Sequence, residues 1–421
     1  MINLNSYLHQ FGLNHFKRIV YQNASQYKHC CILDSCQLNT GKYDGKYELL
    51  AAFGAEKIIQ NLIDLDNHQN DWLFGILSYD LKNEFEDLTS SNTSIIETPN
   101  LLFFVPKIII GIDKKNKATL IKGEISKDFW NPKNLDSSCQ IEQSNQTTKK
   151  RDYIQNVKKI IDLIKQGEVY ELNYCIANTY NYHKFSPINF QLNLINHSPV
   201  PMAAYFKNNT VHLCGASMER FLTKNDQTLI SQPIKGTIKK STDLQEDQKL
   251  IHELQNSIKE RAENIMIVDL VRNDLNRICL TDSVKVTELC EIYSYLQVHQ
   301  MISSIEGILK KDTPISDILH ATFPMGSMTG APKISAMKQI DRLEEFRRGW
   351  YSGSVGYISP NGDFDFNVVI RSLLCDTLKK QINYCAGGAI TIDSNPEKEW
   401  DEIKLKTQAI NEVLRNSTSY A

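Results

Sequence analysis

Apolar residues recur every three or four positions at Tyr153, Val157, Ile160, Ile161 and Ile164, the period of one face of a helix, and Gly167 can cap its end. The same period at Ile251, Leu254, Ile258, Ala262 and Ile265 predicts a second helix. A third begins at Asn395 as N-cap with Pro396 in the first position, and runs through Ile403, Thr407, Ile410 and Leu414. Between the helices lie short apolar or alternating runs at 169–174, 211–214, 228–230, 284–289, 301–309, 353–358, 364–375 and 381–392, which predict strands. Helices do not alternate regularly with strands. The expectation is therefore an α+β fold in which large antiparallel β-sheets form a sandwich with helices packed outside, rather than a doubly wound one.

Polar stretches divide the chain. Residues 131–150, rich in Asn, Ser, Gln, Thr and Lys, read as an exposed linker between an N-terminal region, 1–130, and a C-terminal region, 151–421. A second such stretch, 89–100, reads as a surface loop, and no repeat of fixed period occurs.

Composition narrows the function. With 41% hydrophobic and 23% charged residues the chain is globular, and its apolar runs, broken near Pro106, are too short to span a bilayer. The 47 basic and 49 acidic residues leave a net charge of −2, so no long-range field favours nucleic acid or a membrane surface, and a small substrate is expected. Residues 1–13 lack the basic start and apolar core of a signal peptide, and the ten cysteines show no C-x-x-C spacing, which together point to free thiols in the cytoplasm.

Several residues can carry chemistry. Glu260 with Glu263 and Glu399 with Glu402 are carboxylate pairs at i,i+3, each on one side of a predicted helix. Facing each other they would offer the hard oxygen ligands that Mg²⁺ prefers; otherwise they are solvated helix faces. The segment 326–333, with Ser327 and Thr329, is a glycine-rich loop leading into a helix, whose free amides suit an anion, although it does not fit a nucleotide phosphate loop and is equally readable as a tight turn. Gly387, Gly388 and Ala389 interrupt a strand, as a bulge or a close backbone approach. Lys235, beside Gly236, reads as a solvated turn residue, and His299 as a satisfied sheet histidine or a catalyst. Arg371, in an apolar strand, needs an anionic partner, either a ligand or a structural salt bridge.

In order and spacing these segments resemble the chorismate-utilizing enzymes, the family of anthranilate synthase component I, over about 153–413. The resemblance is carried by Ser217-Met218-Glu219-Arg220-Phe221, Pro233-Ile234-Lys235-Gly236-Thr237, residues 261–274, 323–333, 353–357, 365–371 and 386–402. It implies that the N- and C-terminal parts are intertwined and that Glu263 and Glu402 hold Mg²⁺ with Glu260 and Glu399 beside them. It also implies that Tyr357 and Arg371, with backbone amides around Gly387 and Gly388, hold the carboxylates of chorismate, and that Gly236 and Thr237 touch its ring. Lysine in the P-I-K-G-T motif resembles the aminodeoxychorismate synthases of the family, where anthranilate synthases usually carry alanine. By that likeness Lys235 adds to the ring, Glu219 protonates the departing hydroxyl, and His299 assists.

A neutral amine is required for attack, so the pocket is expected to depress the pKa of Lys235. Met218 replaces a usual proline, Ala389 a usual glycine, and Ile238 with Lys239 a usual Arg-Pro. The chain has no G-x-C-L-G-type glutaminase segment, and little sequence follows Val413. The resemblance therefore implies a glutamine amidotransferase partner supplying ammonia, and a separate lyase to form 4-aminobenzoate. The alternatives are anthranilate synthase component I and a non-catalytic amino-acid-binding relative. Near the N-terminus, Ile32-Leu33-Asp34-Ser35 and residues 75–81 resemble the family more loosely, where a structural or vestigial amino-acid pocket is expected.

Overall fold

The strand Tyr47–Ile59 is buried from Glu48 through Phe53 on both faces. Successive strand residues point to opposite sides, so such a strand must be covered twice. Leu49, Ala51 and Phe53 join a core with residues of the helices Leu4–Phe11, Leu13–Asn23, Pro187–His197 and Pro396–Thr418. Leu50 and Ala52 instead meet Phe74, Ile76, Phe104, Phe206, Trp350 and Leu374, a second core between two layers of sheet. This is the expected α+β sandwich with helices outside. The computed structural model describes residues 3–38, 41–68, 70–133, 135, 139–142 and 146–418.

The strand Leu101–Asp113 joins the layers, pairing antiparallel with Tyr47–Ile59 and with Leu73–Leu77. In one layer, His29–Asp34 lies between Tyr47–Ile59 and Met202–Asn208, and the ladder continues through Val211–Ser217, Ser372–Asp376, Gln381–Ile390 and Glu171–Lys184. In the other, Leu73–Leu77 pairs with Ser354–Ile358, followed by Phe364–Val368, Arg220–Asn225, Thr228–Gln232 and Val298–Ile308. Each layer contains strands from before residue 131 and strands from after residue 150, hydrogen-bonded to one another, so the two parts of the chain are intertwined. Of the polar stretch 131–150, residues 134, 136–138 and 143–145 lie outside the described residues, while Gln140–Ile141 and Gln146–Thr147 pair with Glu171–Lys184. No helix among the described residues is long and apolar enough to cross a membrane.

Two elements differ from the sequence expectation in ways that shape the site. The helix expected across Ile251 to Ile265 is two helices, Leu244–Asn256 and Ile258–Asn276, broken at Ser257, whose hydroxyl accepts the Glu260 amide. The break changes the phase of the second helix. Ile258 is 87% exposed and Ile265 40%, while Glu263 and Asn264 turn inward with Ile267, Val268, Val271 and Leu275. The continuous strand expected over 364–375 is likewise two, Phe364–Val368 and Ser372–Asp376, separated by a bend at Arg371 with φ +50°. A positive φ is costly for a side-chain-bearing residue and marks a position held by its surroundings.

Beneath the site, Arg348 and Glu344 form a buried two-pronged pair, Nε to Oε2 at 2.9 Å and Nη2 to Oε1 at 2.6 Å. Arg348 also donates to the carbonyls of Met328 and Asn173, and Glu344 accepts the Cys175 amide. One ion pair thus ties the glycine-rich loop to the strand Glu171–Lys184. Arg348→Ala strands a buried carboxylate and should cost about 3–5 kcal/mol in chemical denaturation. A loss below about 1 kcal/mol would show the pair to be dispensable.

Candidate active site

A cavity opens where the strands Ile234–Lys239 and Gln381–Ile390, the start of the helix Ile258–Asn276, the loop at 326–328, the 369–371 bend and the helix Pro396–Thr418 converge. Lys235, Gly236, Thr237, Glu219, Ser327, Arg371, Gly387, Ala389, Glu260, Glu263 and Glu402 line it. Segments spread over almost two hundred residues of sequence therefore meet at one place, as their resemblance implied.

Lys235 is held by Glu171, Nζ to Oε1 at 2.9 Å. Burial opposes its charge, but Glu171, Glu263 and Glu219 outweigh burial and hold Lys235 above its ordinary pKa. The expected depression is thus reversed, because the amine faces carboxylates rather than cations. Glu219 shows the opposite balance. Its carboxyl is buried and accepts a 2.6 Å hydrogen bond from Ser327 Oγ, and burial pushes it up to about 7 despite that bond and the Lys235 charge. An ammonium and a carboxyl that burial raises toward neutrality therefore share the cavity.

The carboxylate pairs do face each other. Glu263 and Glu399 are buried, Lys259 Nζ lies 3.7 Å from Glu263 and 3.2 Å from Glu399, and Lys406 Nζ lies 2.6 Å from Glu402. Burial pushes Glu263 up to about 7 and raises Glu260, whereas Lys406 lowers Glu402. Glu263 Oε1 is buried without a hydrogen-bond partner among the described residues. As they stand, no three acidic, histidine or cysteine side chains among the described residues are close enough to enclose a metal. The donors are all hard oxygens, which fits Mg²⁺ in type, and Lys259 and Lys406 now balance the charge that the ion would take over.

Opposite this cluster, Arg371 Nη1 donates to the Lys406 carbonyl at 3.1 Å, and the guanidinium has no carboxylate within ion-pair distance among the described residues. Burial pulls it down to about 10. Its remaining donors suit an anion. Gly387 pairs with Cys175 in the ladder, but the Cys175 amide is spent on Glu344, so this is a non-bonded pair and the polar groups of Gly387 turn to the open edge. Its carbonyl there accepts Lys406 Nζ at 2.7 Å. A Cβ at Gly387 would lie 2.3 Å from Cys175 Sγ, so only glycine fits. Gly388 faces Glu399, Lys406 and Glu402 instead. Gly236, at φ +91°, brings the chain against Glu260, 3.2 Å from where a Cβ would stand.

Three expected residues lie elsewhere. Tyr357 sits among Tyr47, Trp72 and Phe74 on the inter-sheet side and borders a second cavity with Asp34, Ser35, Met202 and Arg220. Strand parity puts Tyr357 with Val355 on that face. The N-terminal segment 33–35 thus does border a cavity, with no contact to the first. His299 is fully buried, its Nε2 2.8 Å from Asp247 Oδ1 and its Nδ1 2.8 Å from Ser294 Oγ, and it docks the helix Leu244–Asn256 on the sheet. Its neighbour Gln300 lines the cavity, contacts the Met218 sulfur, and has no hydrogen-bond partner for Oε1 among the described residues. Thr329 is buried with its hydroxyl on the Met325 and Gly326 carbonyls, a loop-closing role.

Sequence reasoning missed Glu171, Asn173, Gln300, Tyr351, Lys259 and Lys406. A glutamate in the apolar run at 169–174 was a usable signal, since a charge entering a strand core needs a partner. Lys406 follows Glu402 at i,i+4, a spacing open to ordinary surface pairing.

The chorismate binding enzyme family matches residues 18–412. The chain is 43% identical over 263 residues to the chloroplastic aminodeoxychorismate synthase of Arabidopsis thaliana, covering 62% of this chain and 28% of that protein, so it spans less than a third of that relative's length. It is 33% identical over 352 residues to aminodeoxychorismate synthase component 1 of Escherichia coli, covering 81% of this chain and 76% of the other. The fold matches the crystal structure of anthranilate synthase component I from Streptococcus pneumoniae with a TM-score of 0.75 at 24% identity, covering 88% of this chain and 93% of that one.

Proposed function

Because the chain belongs to the chorismate binding enzyme family, we propose that it aminates chorismate to 4-amino-4-deoxychorismate, using ammonia from a glutamine amidotransferase partner, on the cytoplasmic route to 4-aminobenzoate and folate. The observation that carries this reading is the pairing of Lys235 with Glu219 in one cavity, an amine beside a carboxyl lifted to about 7. Amination at C4 requires loss of a hydroxyl, a poor leaving group unless protonated. Glu219 can supply that proton near neutral pH, and Ser327 fixes the direction in which it points. Lys235 supplies a nucleophile that first adds at C2 and is later displaced as ammonia enters at C4.

Arg371, Lys406 and the Gly387 amide offer positive charge and donors to the carboxylates of the substrate. Glu263 and Glu402, with Glu260 and Glu399 beside them, would hold Mg²⁺, which when bound supplies the charge that offsets the ring carboxylate. The Glu263 oxygen that accepts no hydrogen bond among the described residues supports this ligand set.

The test is mass-spectrometric identification of the product from chorismate, Mg²⁺ and ammonium, with pyruvate assayed in parallel. 4-Amino-4-deoxychorismate without pyruvate is expected; pyruvate with anthranilate would replace this reading by anthranilate synthase. In the same assay at constant free ammonia, the rate should fall as pH rises through about 7, because the required acid form of Glu219 is lost above its pKa. A rate still level two units higher would remove Glu219 as the acid.

A further inference from the structure

Among the described residues Glu171 is the one charged side chain within ion-pair distance of Lys235, yet it does not border the cavity. It begins the strand Glu171–Lys184, is fully buried, and has Oε1 2.9 Å from Lys235 Nζ, while Oε2 has no hydrogen-bond partner among the described residues. A buried carboxylate oxygen left unpaired costs free energy, so its presence calls for an explanation. Three carboxylates act on Lys235: Glu171 from this strand, Glu219 from the turn after Val211–Ser217, and Glu263 from the helix Ile258–Asn276. Only Glu171 is within hydrogen-bond reach. Glu219 is turned to Ser327 and, as an acid, must keep its proton for the leaving hydroxyl.

We infer that Glu171 is a positioning residue which holds Lys235 in the resting protein as an ammonium and accepts its proton when the amine attacks. The inference rests on the amination reading above. One proton passes from Nζ to a Glu171 oxygen, giving a neutral amine and a neutral acid still hydrogen-bonded to each other. The freed lone pair forms the bond to C2, the ring double bonds shift from C1=C2 and C5=C6 to C1=C6 and C4=C5, and the C4–O bond breaks. The departing hydroxyl takes the Glu219 proton and leaves as water. Nothing is oxidised or reduced. Two opposite charges collapse into a neutral pair inside a dry wall, a change that a low-dielectric setting favours over release of the proton to distant water. It also explains how a lysine held above its ordinary pKa can act as a nucleophile.

The test is Glu171→Gln, which keeps the shape and the acceptor oxygen but cannot take the proton. Two readouts should move in opposite directions. Without substrate at neutral pH, Lys235 should be acetylated by acetic anhydride faster in the variant than in wild type, as read by peptide mass spectrometry, because the carboxylate stabilising its ammonium is gone. In turnover with chorismate and ammonium, kcat should nevertheless fall about 10²-fold or more, with the chorismate KM changed less than about threefold. Glu171→Asp, which keeps the carboxylate but withdraws it by one methylene, should recover part of the rate, and it carries the test alone if the amide variant does not fold.

Unchanged kcat in either variant overturns the proposal. A rise in KM matching the fall in kcat/KM also overturns it, since that marks a binding or purely structural role. Equal acetylation of Lys235 in wild type and Glu171→Gln would show that no ion pair exists. A wild-type protein that makes no 4-amino-4-deoxychorismate would instead bring down the amination reading, and the wild-type assay run alongside tells the two failures apart.

Discussion

Lys235→Arg should be nearly as inactive as Lys235→Ala, both losing at least about 10³-fold in amination rate. The charge survives in the first variant and Glu171 remains 2.9 Å from the native amine position to receive it, so any role as a counter-charge for the substrate would be largely preserved. A guanidinium cannot become a neutral nucleophile near neutral pH, so covalent catalysis fails in both variants. Wild-type protein incubated with chorismate and no ammonia should also gain the mass of chorismate less one water, located on Lys235. An arginine variant with a tenth or more of the wild-type rate, together with no adduct, would refute the covalent route. It would leave the family assignment intact, because that rests on the whole of 18–412.

How much of this was readable in the chain depends on what kind of information each residue carries. The motif around Lys235 and Gly236 combines a reactive side chain with a glycine at φ +91°, and both are visible as residue types. Glu219, Ser327, Arg371 and Gly387 were legible as members of ordered segments, and the cavity gathers them. Parity was not legible. His299 and Gln300 are adjacent on one strand, and only the register of Val298–Ile308 against Ile234–Lys239 decides which faces the cavity. The more reactive residue type drew the inference, while the ladder turned the amide inward. Tyr357 failed for the same reason.

Helix phase was the other hidden quantity. A single Ser257 break converts Ile258 from an expected core residue into an exposed one and turns Glu263 inward, so the apolar period alone pointed to the wrong face. The reversal has a physical reason, since Glu263 faces Lys259 and Lys235 across a polar wall where an isoleucine would waste two charges. The electrostatic sign at Lys235 was likewise invisible, because Glu171 lies sixty-four positions earlier and meets it only through the fold.

The second large effect is expected at the carboxylate cluster. Glu263→Gln and Glu402→Gln should each weaken Mg²⁺ by at least about 10²-fold and abolish turnover at limiting Mg²⁺, with the fold retained. Loss of even an outer-shell partner of a metal ligand typically costs about 10- to 100-fold in affinity, so loss of a direct oxygen should cost more. Glu263 is the sharper probe, because its Oε1 has no hydrogen-bond partner among the described residues and glutamine there gives up only the 3.7 Å ion pair with Lys259. Glu402→Gln, by contrast, also loosens Lys406, whose amine lies 2.6 Å from it and bonds the Gly387 carbonyl, so its KM for chorismate should rise as well. Binding is best read by direct titration of Mg²⁺, or of Mn²⁺ by electron paramagnetic resonance, so that affinity is measured apart from rate. Wild-type affinity in both variants would remove the metal from this cluster. Lys259, 3.2 Å from Glu399 and 3.7 Å from Glu263, would then be the cation that balances these carboxylates.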